Sequence, residues 1–326
     1  MNNKFISMCK KSQMELKSYL KEELESMYKT VVDADGFLYA HGEFPVLLVA
    51  HMDTVHEKLP SKFEYDAITN SISSPQGIGG DDRCGAYMIL EVIKRYNCSV
   101  LFCESEEVGG VGAQKFADLE MAQGLKFNYI IEFDRRGSND AVFYDCDNVA
   151  FEKFITDGGF YKTAYGTFSD ISVIAPALGV AAVNLSCGYY KEHTKDEYVA
   201  LTQMEDSINA ACDILAKTGA DDVFEYVRST YSGYYSGYGS YKSYDWTKLN
   251  DKFYYIEYIG ADGTTKAFQA TACSEEEAIG MLAKYDPYFS YSAVVDILED
   301  EDDEAYWSDD VYGYYEINDE EDYGIR

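Results

Sequence analysis

Short, almost wholly apolar runs punctuate the first two thirds of the chain: Pro45 to Ala50, Ser99 to Cys103, Asn128 to Phe133 and Val180 to Asn184. A strand with one wet face alternates apolar and polar positions, whereas unbroken runs of this length predict strands buried on both faces. Val31 to Ala40 predicts a further strand. Between the runs the apolar spacing becomes helical. Gln13 to Lys29 places Met14, Leu16, Leu20, Leu24 and Met27 among Lys and Glu, which predicts an amphipathic helix. Cys84 to Arg95 after a Gly-rich turn, Gly112 to Leu119, and Met204 to Lys217 predict three more. Strands alternating with helices predict an α/β fold, three layers α/β/α around a mixed, largely parallel sheet.

The pattern breaks near Val223. Residues 225–246 read EYVRSTYSGYYSGYGSYKSYDW, nearly all Tyr, Ser and Gly, which predicts a linker or an irregular aromatic loop. Beyond it, Lys252 to Ile259 and Thr265 to Ala270 flank the turn Gly260-Ala261-Asp262-Gly263, a hairpin signal. Ser274 with Glu277 forms a capping box opening a helix to Lys284, and Ser292 to Leu298 completes a small α+β unit of ββαβ order. From Glu301 onward eleven acidic residues face the single Arg326, which predicts a solvated tail. The expected organisation is a catalytic domain over 1–224, a linker over 225–246, the ββαβ unit over 247–300 and an acidic tail over 301–326.

Composition narrows the function. The 326 residues are 47% hydrophobic and carry a formal charge of −31. That much apolar material excludes intrinsic disorder for most of the chain. The acidic balance excludes nucleic acid as a partner, because phosphate backbones are held by clustered Lys and Arg. No apolar stretch approaches the roughly 20 residues of a membrane span, and the opening MNNKFISMCKKSQMELKSYL mixes Lys and Glu where a secretory signal needs an apolar core. These readings predict a cytoplasmic protein. The eight cysteines lack CxxC pairing and several lie in apolar runs, so they are expected to be reduced and structural.

Candidate chemistry gathers just past the buried runs, the edge at which open α/β sheets place their sites. His51-Met52-Asp53 follows the first run; the spacing lets Asp53 reach the second imidazole nitrogen of His51, although a surface His beside a turn Asp reads equally well. Asp81-Asp82 stands among glycines at a helix start, either as a metal-bridging carboxylate or as an ordinary complement to the helix dipole. Ser105-Glu106-Glu107-Val108-Gly109 follows the second run. Two such carboxylates can divide labour, one ligating a cation and one taking a proton from water; a solvated acidic turn is the alternative. Asp134 follows the third run and Glu192-His193-Thr194 the last. Histidine and carboxylate together, with room for water, suit catalytic zinc or a related divalent ion better than a closed structural site.

Taken in order, His51-Met52-Asp53, Gly80-Asp81-Asp82-Arg83-Cys84-Gly85, Ser105-Glu106-Glu107-Val108-Gly109, Asp134 and His193 resemble the five signature blocks of the co-catalytic di-zinc exopeptidases, a clan that includes peptidase T, the glutamyl aminopeptidases and the bacterial leucyl aminopeptidases. The resemblance covers roughly residues 10 to 220. It implies two divalent metal ions, zinc by default with cobalt or manganese as alternatives. His51 and Asp134 would complete one site, Glu107 and His193 the other, and Asp81 would bridge them. Glu106 would be the general base, Asp53 would hold His51, and the peptide between Asp81 and Asp82 would be cis. The implied reaction is aminopeptidase hydrolysis of short peptides by a metal-bridged hydroxide. Thr167-Phe168-Ser169-Asp170 resembles a small loop of the clan in which Asp170 would support the site.

The sequence departs from the clan in three ways. Neither the His51–Asp81 interval nor the Asp134–His193 interval has room for an inserted lid or dimerisation domain, which argues against assembly into large particles and leaves the oligomeric state open. The C-terminal unit lies outside the resemblance. Arg135-Arg136 is not part of the general motif; the pair would either hold a substrate carboxylate or pair with nearby acids, and the second reading is preferred. Two other functions remain open, an amidohydrolase or deacylase acting on a non-peptide amide and an inactive scaffold whose Tyr226 to Tyr244 segment docks a partner. His41 and His56 are read as ordinary polar residues.

Overall fold

The computed structural model describes residues 3–228, 252–260, 264–272, 279, 282 and 294–300. The chain divides into two compact units, Met1–Tyr234 and Tyr235–Arg326. The Tyr-rich segment beyond Arg228, the turn 261–263, the helix 274–284 except residues 279 and 282, and the acidic tail lie outside the described residues.

The first unit is built on the apolar runs. They form β3 (Phe44–His51), β6 (Cys98–Cys103), β7 (Tyr129–Arg135) and β10 (Ala182–Ser186), which lie side by side in the order β6-β3-β7-β10 and are all parallel. Successive residues of one strand serve opposite layers. Val46, Leu48 and Ala50 of β3 pack with α2 (Gln13–Glu25), α3 (Gly80–Val92), α6 (Val149–Thr156) and α8 (Leu201–Lys217), while Leu47 and Val49 pack with α4 (Val111–Ala117), α5 (Glu120–Gln123) and α7 (Ile171–Leu178). Both faces are covered, so the strands carry no polar alternation. The three-layer architecture and its mixed, largely parallel sheet are as the pattern predicts.

The sheet's outer strands are antiparallel additions. Val31 to Ala40 is two strands, not one: β1 (Val31–Ala34) and β2 (Phe37–Ala40) fold back on each other across Asp35-Gly36. Gly36 has φ +94°, a left-handed backbone that a side chain resists. β2 continues the sheet against β6, and on the far side β8 (Asp140–Val142) and β9 (Lys162–Ala164) complete eight strands. A second, four-stranded sheet in the order β11-β12-β5-β4 joins Tyr189–Tyr190, Tyr198–Ala200, Ser71–Ser73 and Glu64–Asp66. The interval between His51 and Asp81 contains only those two short strands β4 and β5.

The N-terminal segment adds α1 (Asn3–Cys9), which buries Phe5, Met8 and Cys9. α2 starts at Ser12, where the side chain accepts from Glu15 N and the Glu15 carboxylate accepts from Ser12 N, a capping box that the helical spacing alone does not reveal. The helix buries Leu16, Leu20 and Leu24 and leaves Met14 outside. Seven of the eight cysteines are described; all seven are buried and unbonded to one another. No described helix is long and apolar enough to cross a membrane. In the second unit, β13 (Lys252–Ile259) pairs antiparallel with β14 (Thr265–Ala272) and with β15 (Val294–Asp300).

Candidate metal centre

From β3 the chain passes to β6 on one side and then crosses to β7 on the other, and such a reversal opens a crevice beyond the carboxyl ends of the strands. His51 is the last residue of β3, Asp134 the penultimate residue of β7, and Glu106 and Glu107 follow β6 on a turn in which Ser105 has φ +63°. His193 stands in the loop between β11 and β12. Asp81 and Asp82 lie inside the bounds of α3 but depart from helical geometry (φ −82°, ψ 103° and φ −119°, ψ 47°), so the regular helix begins only after them; the peptide joining them is cis.

These residues converge. Asp81 Oδ1 is 3.0 Å from His51 Nε2, and Asp81 Oδ2 is 3.3 Å from His193 Nε2. His51 Nε2 is also 3.4 Å from Asp134 Oδ1, and His193 Nε2 is 3.0 Å from Glu107 Oε2. Two donor groups result, His51–Asp81–Asp134 and Asp81–Glu107–His193, each with its atoms within 4.8 Å of one another and with Asp81 in both. Among the described residues no other group of three such donors meets that spacing. The groups differ in access, since the His51 side chain is 1% exposed and that of His193 is 53% exposed.

A framework of hydrogen bonds holds the donors. Asp53 Oδ1 lies 3.2 Å from His51 Nδ1, and the two Asp53 oxygens accept from Glu106 N and Glu107 N at 3.1 Å each, so one carboxylate spans the loops after β3 and β6. The buried Arg83 donates to the Asp53 carbonyl at 2.7 Å. Asp134 accepts from Ser169 Oγ at 2.9 Å and from the Tyr189 hydroxyl at 3.2 Å, while Asn184 brackets its backbone, accepting from Asp134 N and donating to its carbonyl. Asp82, fully buried, accepts from Gly85 N at 2.7 Å and from His51 N at 3.3 Å. At Gly85 a Cβ would stand 1.9 Å from the Phe133 carbonyl and 2.4 Å from Asp82 Oδ2. Gly85→Ala should therefore destabilise the fold by at least the about 1–3 kcal/mol of ordinary overpacking, because the atoms it strikes are backbone and a pinned carboxylate. Denaturant unfolding checks this, and an unchanged midpoint would contradict the close approach.

The electrostatics are those of a site with surplus negative charge. Burial, reinforced by Asp134, pushes Asp81 up to about 6 and Glu106 up to about 9. Burial would lower His51, but Asp134, Asp53 and Asp81 outweigh it and hold the imidazole well above its ordinary value. Bonds to Asp81 and Glu107 raise His193 to about 10. Asp53, Asp81, Glu106, Glu107 and Asp134 thus share two imidazoles, and Glu107 Oε1 is buried without a hydrogen-bond partner. Protons or a cation must compensate such a cluster, and a mixed imidazole and carboxylate donor set is one that divalent ions accept. The residues fit a divalent metal.

No family model matches the chain, and no curated protein matches it by sequence. Solved structures match it in fold. Aminopeptidase PepT from Bacillus cereus aligns over 66% of this chain and 98% of its own, with 15% identity and a TM-score of 0.54. A tripeptidase from Staphylococcus aureus aligns over 65% and 96%, with 15% identity and a TM-score of 0.55. An aminopeptidase from the archaeon Desulfurococcus kamchatkensis aligns over 66% and 95%, with 16% identity and a TM-score of 0.50. The chain has the fold of these peptidases.

Within this peptidase fold, several residues at the centre carry no obvious sequence signal. Glu132 lies in the apolar run of β7, fully buried, with a carboxyl oxygen 2.5 Å from Ser169 Oγ; an acid inside such a run is the mark that could have singled it out. In the loop before α7 it is Ser169, not Asp170, that reaches Asp134. The Asp170 carboxyl is buried beside the Cys103 thiol, and burial pushes it up to about 7. His56 is more than an ordinary polar residue, because its Nε2 is 2.7 Å from the carboxylate of Glu197, itself wholly buried. His41 is exposed and meets the Tyr39 hydroxyl. Arg135 pairs with Asp140 and Arg136 with Glu192.

Proposed function

We propose that the chain is a metal-dependent aminopeptidase that removes N-terminal residues from short peptides. The observation that carries this reading is the pair of three-donor groups sharing Asp81 at the carboxyl edge of a peptidase-type sheet, with Glu106 beside them. His51 and Asp134 would hold one ion and Glu107 and His193 the other, with Asp81 common to both donor groups. Bound divalent ions, zinc by default, supply Lewis acidity that polarises the scissile carbonyl and brings water toward a pKa of about 7.

The chain's own residues do the rest. Glu106 takes the proton of the attacking water and passes it to the leaving nitrogen. Asp53 fixes the ring of His51 and, through its two backbone hydrogen bonds, sets the turn that carries both Glu106 and Glu107. Ser169 and Tyr189 aim the carboxylate of Asp134. The half-exposed His193 marks the side open to substrate.

Mass-spectrometric product analysis of a peptide panel with free and acetylated N-termini, with zinc, cobalt or manganese and with chelator, tests the proposal. Chelator-sensitive loss of single N-terminal residues from the free-amine peptides alone is expected. Failure to cleave any of them under every metal would overturn the peptidase reading, and release of acyl groups from the blocked peptides would replace it with a deacylase.

A further inference from the structure

Outside the donors themselves, the most heavily used buried carboxylate at the centre is Glu197. It is 0% exposed, and its two oxygens are committed to different partners: Oε1 accepts from Asp81 N at 2.9 Å, and Oε2 accepts from Gly79 N at 2.8 Å and meets His56 Nε2 at 2.7 Å. Glu197 follows His193 by four residues, and His56 follows Asp53 by three. One side chain therefore joins the loop that carries His193, the turn that carries Asp81 and the loop that leaves His51.

We propose that Glu197 is a positioning residue that locks Asp81 to the His193 loop and so fixes the relation between the two donor groups. The inference rests on the proposed metal centre. A carboxylate is needed because two backbone N–H groups of one turn approach two separate oxygens. Glutamine presents a single acceptor, so it leaves one buried N–H unpaired or turns its amide hydrogens toward it. The backbone between the two bonded N–H groups is closely packed. A Cβ on Gly80 would stand 3.2 Å from Glu197 Oε1, 3.0 Å from Tyr189 Cβ and 2.8 Å from Val199 Cγ2. His56 adds the third bond from outside, and its removal leaves both backbone bonds in place.

The test is metal binding by the full chain, measured by calorimetric titration with Zn2+ and by the visible absorption of the Co2+-loaded protein. Glu197→Gln should weaken metal binding roughly 10- to 100-fold, the usual cost of losing a group that orients a ligand, and should change the Co2+ spectrum because Asp81 shifts. His56→Ala should give the smaller loss. A Glu197→Gln protein that binds metal with wild-type affinity and spectrum, and differs only in melting temperature, would overturn the inference by showing a purely structural acid. If that variant does not fold, Glu197→Asp keeps both oxygens but shortens their reach to Gly79 N and Asp81 N; weakened binding is expected there too, and wild-type binding overturns the inference. A wild-type chain that binds neither ion would instead remove the metal centre itself.

Discussion

Glu106→Gln should lower peptide hydrolysis by about a hundred- to ten-thousand-fold, the range that a positioned general base contributes, while metal uptake stays close to wild type. The structure separates the two quantities. Glu106 belongs to neither donor group, whereas its neighbour Glu107 does. Its backbone N–H is tied to Asp53 Oδ1, so the turn keeps its course when the side chain changes. Glutamine has the size of glutamate but cannot accept the proton. Steady-state kinetics beside calorimetric metal titration would show the split; a variant retaining near-native turnover would remove Glu106 from the base role.

Asp81→Asn should be as damaging to activity, but by a different route. Asp81 is the one side chain shared by both donor groups, and asparagine replaces one of its two oxygens with an amide that cannot ligate. Metal affinity should fall by more than the roughly 10- to 100-fold that follows loss of a group merely supporting a ligand. His193→Ala gives the control: it breaks only the more exposed group, so one ion should remain on His51, Asp81 and Asp134. Elemental analysis after dialysis reads the stoichiometry. Equal metal content in the two variants would show that Asp81 does not serve both groups.

Much of this was legible in the sequence for a plain physical reason. A strand covered on both faces must be apolar throughout, so β3, β6, β7 and β10 announce themselves, and the first polar residues past them fall at the carboxyl edge of the sheet. His51, Glu106, Glu107 and Asp134 were found in that way, and the structure gathers them with Asp81 and His193. The short strands β4, β5, β8, β9, β11 and β12 span three residues or fewer, too few for a period to show. α7 reads apolar along most of its length and contains Pro176, which hides its helical repeat. Glu197 left no trace because two of its three partners are backbone N–H groups more than a hundred residues away, which place no demand on the identity of the donor, and the third, His56, is as distant in the chain.

The cysteines give the fold a built-in reporter. Burial pushes the thiol of Cys9 up to about 12 and raises those of Cys84, Cys103 and Cys187 well above their ordinary value. These four, all fully buried, lie on different elements of the scaffold: Cys9 ends α1, Cys84 lies in α3, Cys103 ends β6 and Cys187 follows β10. A thiol-directed alkylator meets almost no thiolate at these positions while the chain is closed, so each becomes labelled only as fast as its own segment opens. The amino acids that pack the interior thereby time-stamp its local unfolding, segment by segment, without any introduced probe.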